Sequence, residues 1–298
     1  GSEMCIRDSL QIGFNRFSLG AQSFSDRFLK ILGRSHSAGA IRSTYSMLRD
    51  RGVSNISLDL IYGLPGQSLE DWQQDVENAL SLQPQPKHLS VYGLSIEPGT
   101  EYGRLFANPS RRPPAEGYPA LPGEEAEADM YELAHDRLEA AGYLPYEISN
   151  FSLPGFECRH NLAYWTDRPY LGFGPGAASY DGETRWRNTS KWDEYLDTAL
   201  RGRSAREEEE KLPGADKFAE ELCILLRLSR GVDLPALLRK HRMEPSPSLE
   251  RMLDDLVSCS LLEKIPENRF RLTVRGKLLA SEVSIRLMQS IEDSAGAG

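Results

Sequence analysis

The segment Ile56–Leu82, ISLDLIYGLPGQSLEDWQQDVENALSL, places a strand, a tight turn and a helix directly after one another. Ile56–Ile61 is rich in aliphatic side chains and predicts a buried strand. The glycines of Gly63-Leu-Pro-Gly66 predict a sharp turn. Ser68, followed three residues later by an acid, predicts a capping box that opens a helix to about Leu82. A strand followed at once by an amphipathic helix is the repeating unit of αβ proteins.

The same alternation continues on both sides of this segment. Strands are predicted at 14–21, 89–96 and 143–149, and helices at 37–51 and 124–141. The strand residues are apolar rather than strictly alternating, which favours a parallel sheet covered by helices. The predicted class is therefore α/β, as a complete or partial (β/α) barrel whose chemistry lies at the carboxyl ends of its strands. The strand predicted at 14–21 has the apolar composition of a strand inside a sheet rather than at its edge. We therefore expect a barrel that lacks the strands that would precede it.

The pattern changes after about residue 202. Residues 203–214 contain the run Glu207–Glu210 and are predicted to be an acidic, solvated linker. Residues 215–298 show three helices, two short strands and a last helix, which predicts a small winged-helix-like α+β domain. Four Lys and nine Arg are balanced there by thirteen Asp and Glu. A neutral domain lacks the basic surface that phosphate binding requires, so we expect a packing or partner role and no nucleic acid.

Composition and cysteine positions narrow the class of protein further. The net charge of -9 argues against a nucleic-acid-binding protein, and no run approaches the roughly 20 apolar residues of a membrane span. Cys5, Cys158, Cys223 and Cys259 form neither a metal-ligand spacing nor a disulfide framework, which fits a reducing cytoplasm. Residues 1–9, GSEMCIRDS, show no periodicity and are expected to be a non-native scar outside the fold.

Three polar side chains mark a candidate site on the barrel half. Gln22 ends the first predicted strand, Arg34 follows a short helix, and Asp59 interrupts an apolar strand. A carboxylate in a buried strand is costly unless it is paired or binds a ligand. Either Asp59 and Arg34 form an internal ion pair, or the three residues bind a small polar ligand. In the second case Arg34 pairs with a carboxylate, and Gln22 and Asp59 take hydroxyls and amines.

A second candidate site lies in Arg159–Asn188, RHNLAYWTDRPYLGFGPGAASYDGETRWRN. Glycines at 172, 174 and 176 alternate with Phe and Pro and predict a sharp bend or a close backbone approach. The segment also supplies a metal or proton ligand, an amide and flat aromatic faces, in His160, Asn161, Tyr164 and Trp165. The alternative is a buried polar turn held by its own hydrogen bonds.

Six segments occur in a fixed order, namely FNRFSLGAQSF (14–24), LGRSH (32–36), LDLIYGLPGQ (58–67), HLSVYGLSIEPGT (88–100), YEISNF (146–151) and RHNLAYW (159–165). Together they resemble the oxygen-independent coproporphyrinogen III oxidase family of radical S-adenosylmethionine (SAM) proteins. HNLAYW is similar to the signature of the heme chaperone subfamily rather than of the oxidases. The resemblance extends from Gly13 to the last helix. It implies that residues 10–202 are the C-terminal part of a radical SAM barrel together with the HNLAYW segment.

The resemblance also implies ligands. The family's SAM contacts match Gln22, Arg34, Asp59 and Ser95. His160 is the implied heme-contacting residue, with Asn161 beside it and Tyr164 and Trp165 as stacking surfaces. His36, next to Arg34, would lie at the mouth of the SAM pocket. The implied function is a heme-binding chaperone that passes heme to acceptor proteins, and the alternative is the oxidase, which converts two propionates of coproporphyrinogen III to vinyl groups.

The sequence departs from the family at two points. The CxxxCxxC motif, which holds a four-iron cluster through three thiolates, is absent from these residues. We therefore expect an N-terminally truncated chain that binds no cluster and does not cleave SAM, and we assign no catalytic residue and no metal ligand. Ala178 stands where many relatives carry a histidine, so a second imidazole is not available near His160.

Overall fold

The computed structural model describes residues 3–106 and 118–295, and it divides the chain into two compact units, 1–157 and 158–298. The division lies between Glu157 and Cys158. It differs from the boundary expected at 203–214, because the HNLAYW segment packs with the C-terminal half of the chain.

The first unit is an α/β structure, as the sequence predicted. Its helices and strands are α1 (Glu3–Gln11), β1 (Arg16–Gln22), α2 (Asp26–Ile31), α3 (Ala38–Asp50), β2 (Asn55–Tyr62), α4 (Leu69–Leu80), β3 (His88–Gly93), α5 (Glu101–Phe106), α6 (Glu124–Ala140), β4 (Leu144–Pro145) and β5 (Asn150–Ser152). The strands form one sheet in the order β1-β2-β3-β5-β4. Strands β1, β2 and β3 are parallel, whereas β5 runs antiparallel to both of its neighbours.

The antiparallel end of the sheet corrects the single strand expected at 143–149. Glu147 is buried, and its carboxylate accepts hydrogen bonds from the Ser149 backbone amide at 2.9 Å and from the Asn150 side chain. The Tyr146 amide donates to the Asn150 carbonyl at 3.1 Å. This local turn reverses the chain between β4 and β5, so two short strands replace one.

The two faces of the sheet differ in polarity, which corrects the expectation of continuously apolar strands. Ile56, Leu58 and Leu60 of β2 are at most 1% exposed, and the helices α3, α4 and α6 contact strands β1 to β3. The intervening β2 residues, Ser57 and Asp59, are polar and form hydrogen bonds with side chains of the neighbouring strands. Period-two alternation is what a sheet covered by helices on one face requires.

The capping box is confirmed: the Ser68 hydroxyl accepts from the Asp71 amide at 3.1 Å, and the Asp71 carboxylate accepts from the Ser68 amide at 3.0 Å.

Glu3–Gln11 forms α1, and Ile6 is buried in the first unit. That residues 1–9 are a non-native scar stays a prediction.

The second unit begins with the HNLAYW segment. Its elements are α7 (Arg159–Trp165), β6 (Ala178–Tyr180), β7 (Thr184–Asn188), α8 (Trp192–Leu200), β8 (Arg206–Lys211), α9 (Gly214–Leu226), β9 (Val232–Asp233), α10 (Leu234–His241), α11 (Pro247–Ser258), β10 (Leu262–Ile265), β11 (Arg269–Leu272), α12 (Val274–Leu278) and α13 (Ala280–Ala295). The strands form two antiparallel sheets, β6-β7-β8 and β10-β11-β9. From α9 onward the structure has the three helices, two short strands and last helix expected from the sequence, and it adds the strand β9 and the helix α12.

The acidic run Glu207–Glu210 is part of β8 and not a linker. All of its residues are exposed, and β8 pairs antiparallel with β7. Arg185 lies opposite Glu210 and Arg187 opposite Glu208. Residues of opposite charge that lie opposite each other favour the pairing of two antiparallel strands, so a run of four acids is compatible with a strand at this position.

Within the ranges 3–106 and 118–295, no helix combines the length and the apolar character that are needed to cross a membrane.

Candidate functional site

The first candidate site is the polar face of the sheet in the first unit. The Ser18 hydroxyl of β1 donates to both carboxylate oxygens of Asp59 in β2, each at 3.0 Å. Further along, the Ser57 hydroxyl lies 2.8 Å from His88 Nδ1, and His88 Nε2 lies 2.8 Å from the Tyr146 hydroxyl. These bonds join β1, β2, β3 and the turn before β5 into one polar surface.

His88 is the buried centre of this polar network. Burial, with the nearby Arg16 charge as a second cause, lowers the pKa of His88 to about 3. The imidazole is therefore neutral at pH 7 and has one N–H donor and one acceptor nitrogen for the two hydroxyls. The two hydrogen bonds of His88 are those of a positioning residue.

Gln22 lies at the carboxyl end of β1 in a backbone conformation that non-glycine residues rarely adopt. Its φ is 66°, and the register of β1 against β2 shifts between Leu19 and Gln22. Its side-chain amide covers Gly20, where a Cβ would lie 2.6 Å from Nε2. Unusual backbone geometry of this kind concentrates at ligand sites, where the surrounding structure stabilises it.

The turn after Gln22 is fixed by Asp75 of α4. The Ser23 hydroxyl donates to Asp75 Oδ2 at 2.7 Å, and the Phe24 amide donates to Oδ1 at 2.6 Å. Asp75 is 2% exposed, and its burial raises the pKa of the carboxyl to about 6, against the lowering effect of these hydrogen bonds. Sequence reasoning missed this residue.

Asp59 and Arg34 do not form the internal ion pair that the sequence left open, in the part of the chain that the structure describes. Asp59 is half-buried and accepts from Ser18, while Arg34 is exposed. His36 lines a cavity of about 210 Å³ together with Ser18 and Gly20, and its Nε2 lies 3.4 Å from the Ala21 carbonyl.

The strand pairing brings together some of the predicted SAM contacts. Gln22 is paired with Leu60, so it lies beside Asp59 on the neighbouring strand. Ser95 follows β3 and donates its hydroxyl to Glu97 at 2.8 Å. The amide of Gln22 at the carboxyl end of β1 and the carboxylate of Asp59 in β2 are groups that suit a polar ligand with amine and hydroxyl groups. The four cysteines of the chain do not fit a three-thiolate cluster site, because they are widely separated in sequence and Cys223 is buried.

The second candidate site is helix α7, where two of the predicted residues come together. His160 and Tyr164 are exposed, and their rings are 4.9 Å apart in an edge-to-face arrangement. The Tyr164 hydroxyl lies 3.1 Å from His160 Nε2. No residue of α7 is buried, so a buried polar turn does not describe this helix, whereas Ser179 and Trp186 further along the segment are buried.

Trp165 lies in a different environment from His160. The guanidinium carbon of Arg227 in α9 lies 4.8 Å from the centre of the Trp165 ring, which is a cation–π contact. Trp165 therefore anchors α7 to the C-terminal helices of the same unit. Asn161 is half-buried on the same helix, and it is not without a partner.

A buried ion network follows α7, and no sequence signal indicated it. Asp167, with a side chain 5% exposed, lies 2.7 Å from Lys217 Nζ and 3.3 Å from Lys240 Nζ. Lys240 also pairs with Glu221 at 2.6 Å, and Glu221 lies 2.7 Å from His241 Nε2. Burial opposes ionisation of Asp167, but hydrogen bonds with Lys217 and Tyr180 and the charges of Lys217 and Lys240 hold its pKa below the usual range.

Comparison with known proteins identifies relatives of the whole chain. The model of the Radical SAM superfamily matches residues 5–79. The heme chaperone HemW of Bacillus subtilis is 36% identical over 92% of this chain and 69% of its own length. HemW of Lactococcus lactis is 36% identical over 95% of this chain and 71% of its length. The solved structure of Escherichia coli coproporphyrinogen III oxidase (HemN), a radical SAM enzyme, covers 96% of this chain and matches it with a TM-score of 0.75 at 20% identity.

The structural match at 20% identity shows the fold, and residues 5–79 match the Radical SAM superfamily. The chain belongs to the heme chaperone HemW family, since it spans 69% and 71% of two relatives to which it is 36% identical.

Proposed function

We propose that this chain binds heme as a chaperone on a radical SAM scaffold and passes it to acceptor proteins. The observation that carries the proposal is the exposed His160–Tyr164 pair on α7, a helix without a buried residue. An imidazole at the surface is available to a ligand. The same residues lie in the segment that resembles the heme chaperone signature, and the relatives named above are heme chaperones.

His160 has the chemistry of an axial ligand to heme iron, because neutral imidazole is a standard ligand of this metal. Tyr164 orients the imidazole through its hydroxyl, 3.1 Å from Nε2. Its ring offers an apolar surface to a porphyrin. Asn161 contributes an amide to the same helix, and Trp165 fixes the helix through Arg227. These assignments make α7 the heme-contacting element.

The polar face of the first unit is the proposed site for SAM. Asp59 would accept from hydroxyl or amine groups, Gln22 would add an amide, and Arg34 would pair with a carboxylate. Ser95 would contribute a hydroxyl in place of its bond to Glu97. Bound SAM supplies a sulfonium group and a transferable adenosyl unit. Since the four cysteines do not form a CxxxCxxC motif, we assign these residues to binding and derive no radical step from this chain.

The acceptors are proposed to be heme proteins that the chain meets in the cytoplasm. Oxidase activity is not supported by an observation on the site, because the likeness to the coproporphyrinogen oxidase at 20% identity concerns the fold.

Titration of hemin into the purified chain, followed at the Soret band, tests the heme proposal. We expect saturation near one heme per chain. His160→Gly should remove the ligated spectrum, and added imidazole should restore it, because the free base can occupy the vacated ligand position. Circular dichroism establishes that the variant is folded. A folded wild-type chain without saturable binding, or a His160→Gly chain with an unchanged spectrum, would contradict the proposal.

A further inference from the structure

The loop between Tyr170 and Gly176 exposes two large apolar side chains. Phe173 is 86% exposed and Leu171 is 66% exposed. A single exposed apolar side chain needs no explanation, but two of them separated by one glycine on an ordered loop offer apolar surface that a ligand can cover. These two residues belong to the glycine-rich run LGFGPG at 171–176.

The backbone of this loop is held from three directions. Ser179 accepts from the Gly172 amide at 2.9 Å, and the Tyr195 hydroxyl accepts from the Gly174 amide at 3.0 Å. The side-chain amide of Asn188 donates to the Gly174 carbonyl at 3.0 Å. Side chains from β6, β7 and α8 thus fix the residues on both sides of Phe173. Its exposure is therefore a property of an ordered loop and not of a loose one.

The glycines make this arrangement possible. A Cβ on Gly172 would lie 2.2 Å from the Ala178 carbonyl oxygen, so only glycine allows this close approach. Gly174 has a φ of 107°, which side chains disfavour. A loop whose backbone is fixed before binding avoids the entropy cost of ordering on binding.

The loop continues the aromatic surface that begins at His160. The ring of Tyr164 lies 4.6 Å from the ring of Tyr170, which immediately precedes the loop. Phe173 is three residues further along, so its backbone lies within about 11 Å of that of Tyr170. The ring contacts thus connect His160 through Tyr164 to Tyr170, and Leu171 and Phe173 follow Tyr170 within three positions.

We propose that Phe173 and Leu171 form the apolar wall of the heme site, against which the porphyrin ring packs while His160 ligates the iron. Heme fits these features because it is planar and largely apolar, and aromatic side chains pack well on such a face. This inference rests on the proposed heme function and extends its site to the glycine-rich loop.

Hemin titrations of Phe173→Ser, Phe173→Leu and Ile285→Ser test the extension. Ile285 is 56% exposed on α13 and provides a matched loss of apolar surface. We expect Phe173→Ser to weaken hemin binding about tenfold, as the loss of one buried aromatic contact implies. The Soret position should stay that of wild type because His160 remains the ligand. Phe173→Leu should recover most of the affinity, and Ile285→Ser should bind as wild type.

Two results would overturn the inference, and they differ from a failure of the heme proposal itself. If Phe173→Ser binds hemin as tightly as wild type while His160→Gly loses the ligated spectrum, heme binds without the loop. If Phe173→Ser abolishes self-association in sedimentation without changing hemin affinity, the loop binds a second copy of the chain. Absence of hemin binding by the folded wild-type chain would reject both proposals together.

Discussion

Replacing Asp75 by Asn tests how the turn that carries Gln22 is stabilised. Burial raises the pKa of Asp75 from 3.8 to about 6, so the folded state binds this proton more tightly than the unfolded state. At about 1.4 kcal/mol per pKa unit, ionised Asp75 costs the fold about 3 kcal/mol at neutral pH relative to the protonated acid. For a carboxyl with a raised pKa, stability is highest below pH 4 and falls as the pH rises through 6.

Asp75→Asn keeps an acceptor for the Phe24 amide and offers a donor to Ser23, but it does not titrate. We expect its unfolding free energy to gain about 2 kcal/mol relative to wild type between pH 4 and pH 7. Urea denaturation can follow the fluorescence of Trp72, the one tryptophan in the first unit, which is fully buried. Comparing the two proteins at each pH cancels the titration of all other groups. A difference that does not change with pH would refute the reasoning.

Two further perturbations address the second unit. Asp167→Asn removes the anion between Lys217 and Lys240, and loss of a buried partner should cost about 3 kcal/mol at pH 7. Because the pKa of Asp167 is lowered, the stabilisation by this carboxylate is present above about pH 4 and is lost as the pH falls further. The urea midpoints of Asp167→Asn and wild type should therefore converge in acid. An equal difference between the midpoints at pH 7 and in acid would contradict the ion network. Gly172→Ala should cost about 1–3 kcal/mol through its clash with the Ala178 carbonyl. Gly214→Ala is the control, since a Cβ there meets open space, and its free energy of unfolding should stay within about 0.5 kcal/mol of wild type. Similar melting temperatures for the two alanine variants would show that the loop at Gly172 adjusts to the added methyl group without cost.

The local features of the fold were accessible from sequence because neighbouring residues determine them. The Ser68–Asp71 capping box and the α4 helix that follows it depend on residues within a few positions of each other. The reversal between β4 and β5 was missed because it depends on the burial of Glu147, which tertiary packing decides. The strand β8 was missed because a run of four acids shows no strand pattern by itself, and its pairing with the arginine-bearing strand β7 is a tertiary contact.

The candidate site was predictable where a residue type conflicted with its surroundings. Asp59 interrupts an apolar strand, and that conflict identified it. Asp75 carried a similar signal that was overlooked, since it lies on the buried stripe of α4 with Trp72, Val76 and Ala79. Asp167 and Lys217 are fifty positions apart, so no local pattern could reveal their pairing.

The ion network around Asp167 determines at which residue segments of this protein can be joined to those of a relative in a chimera. Composition suggests a joint at 203–214, and a chimera built there would exchange α9 and α10 while retaining Asp167. The carboxylate would then lose the two lysines that neutralise it, unless the incoming helices carry matching cations. Exchange of the C-terminal domain between relatives should therefore begin at Cys158, so that α7 with His160 is exchanged together with the helices that it contacts.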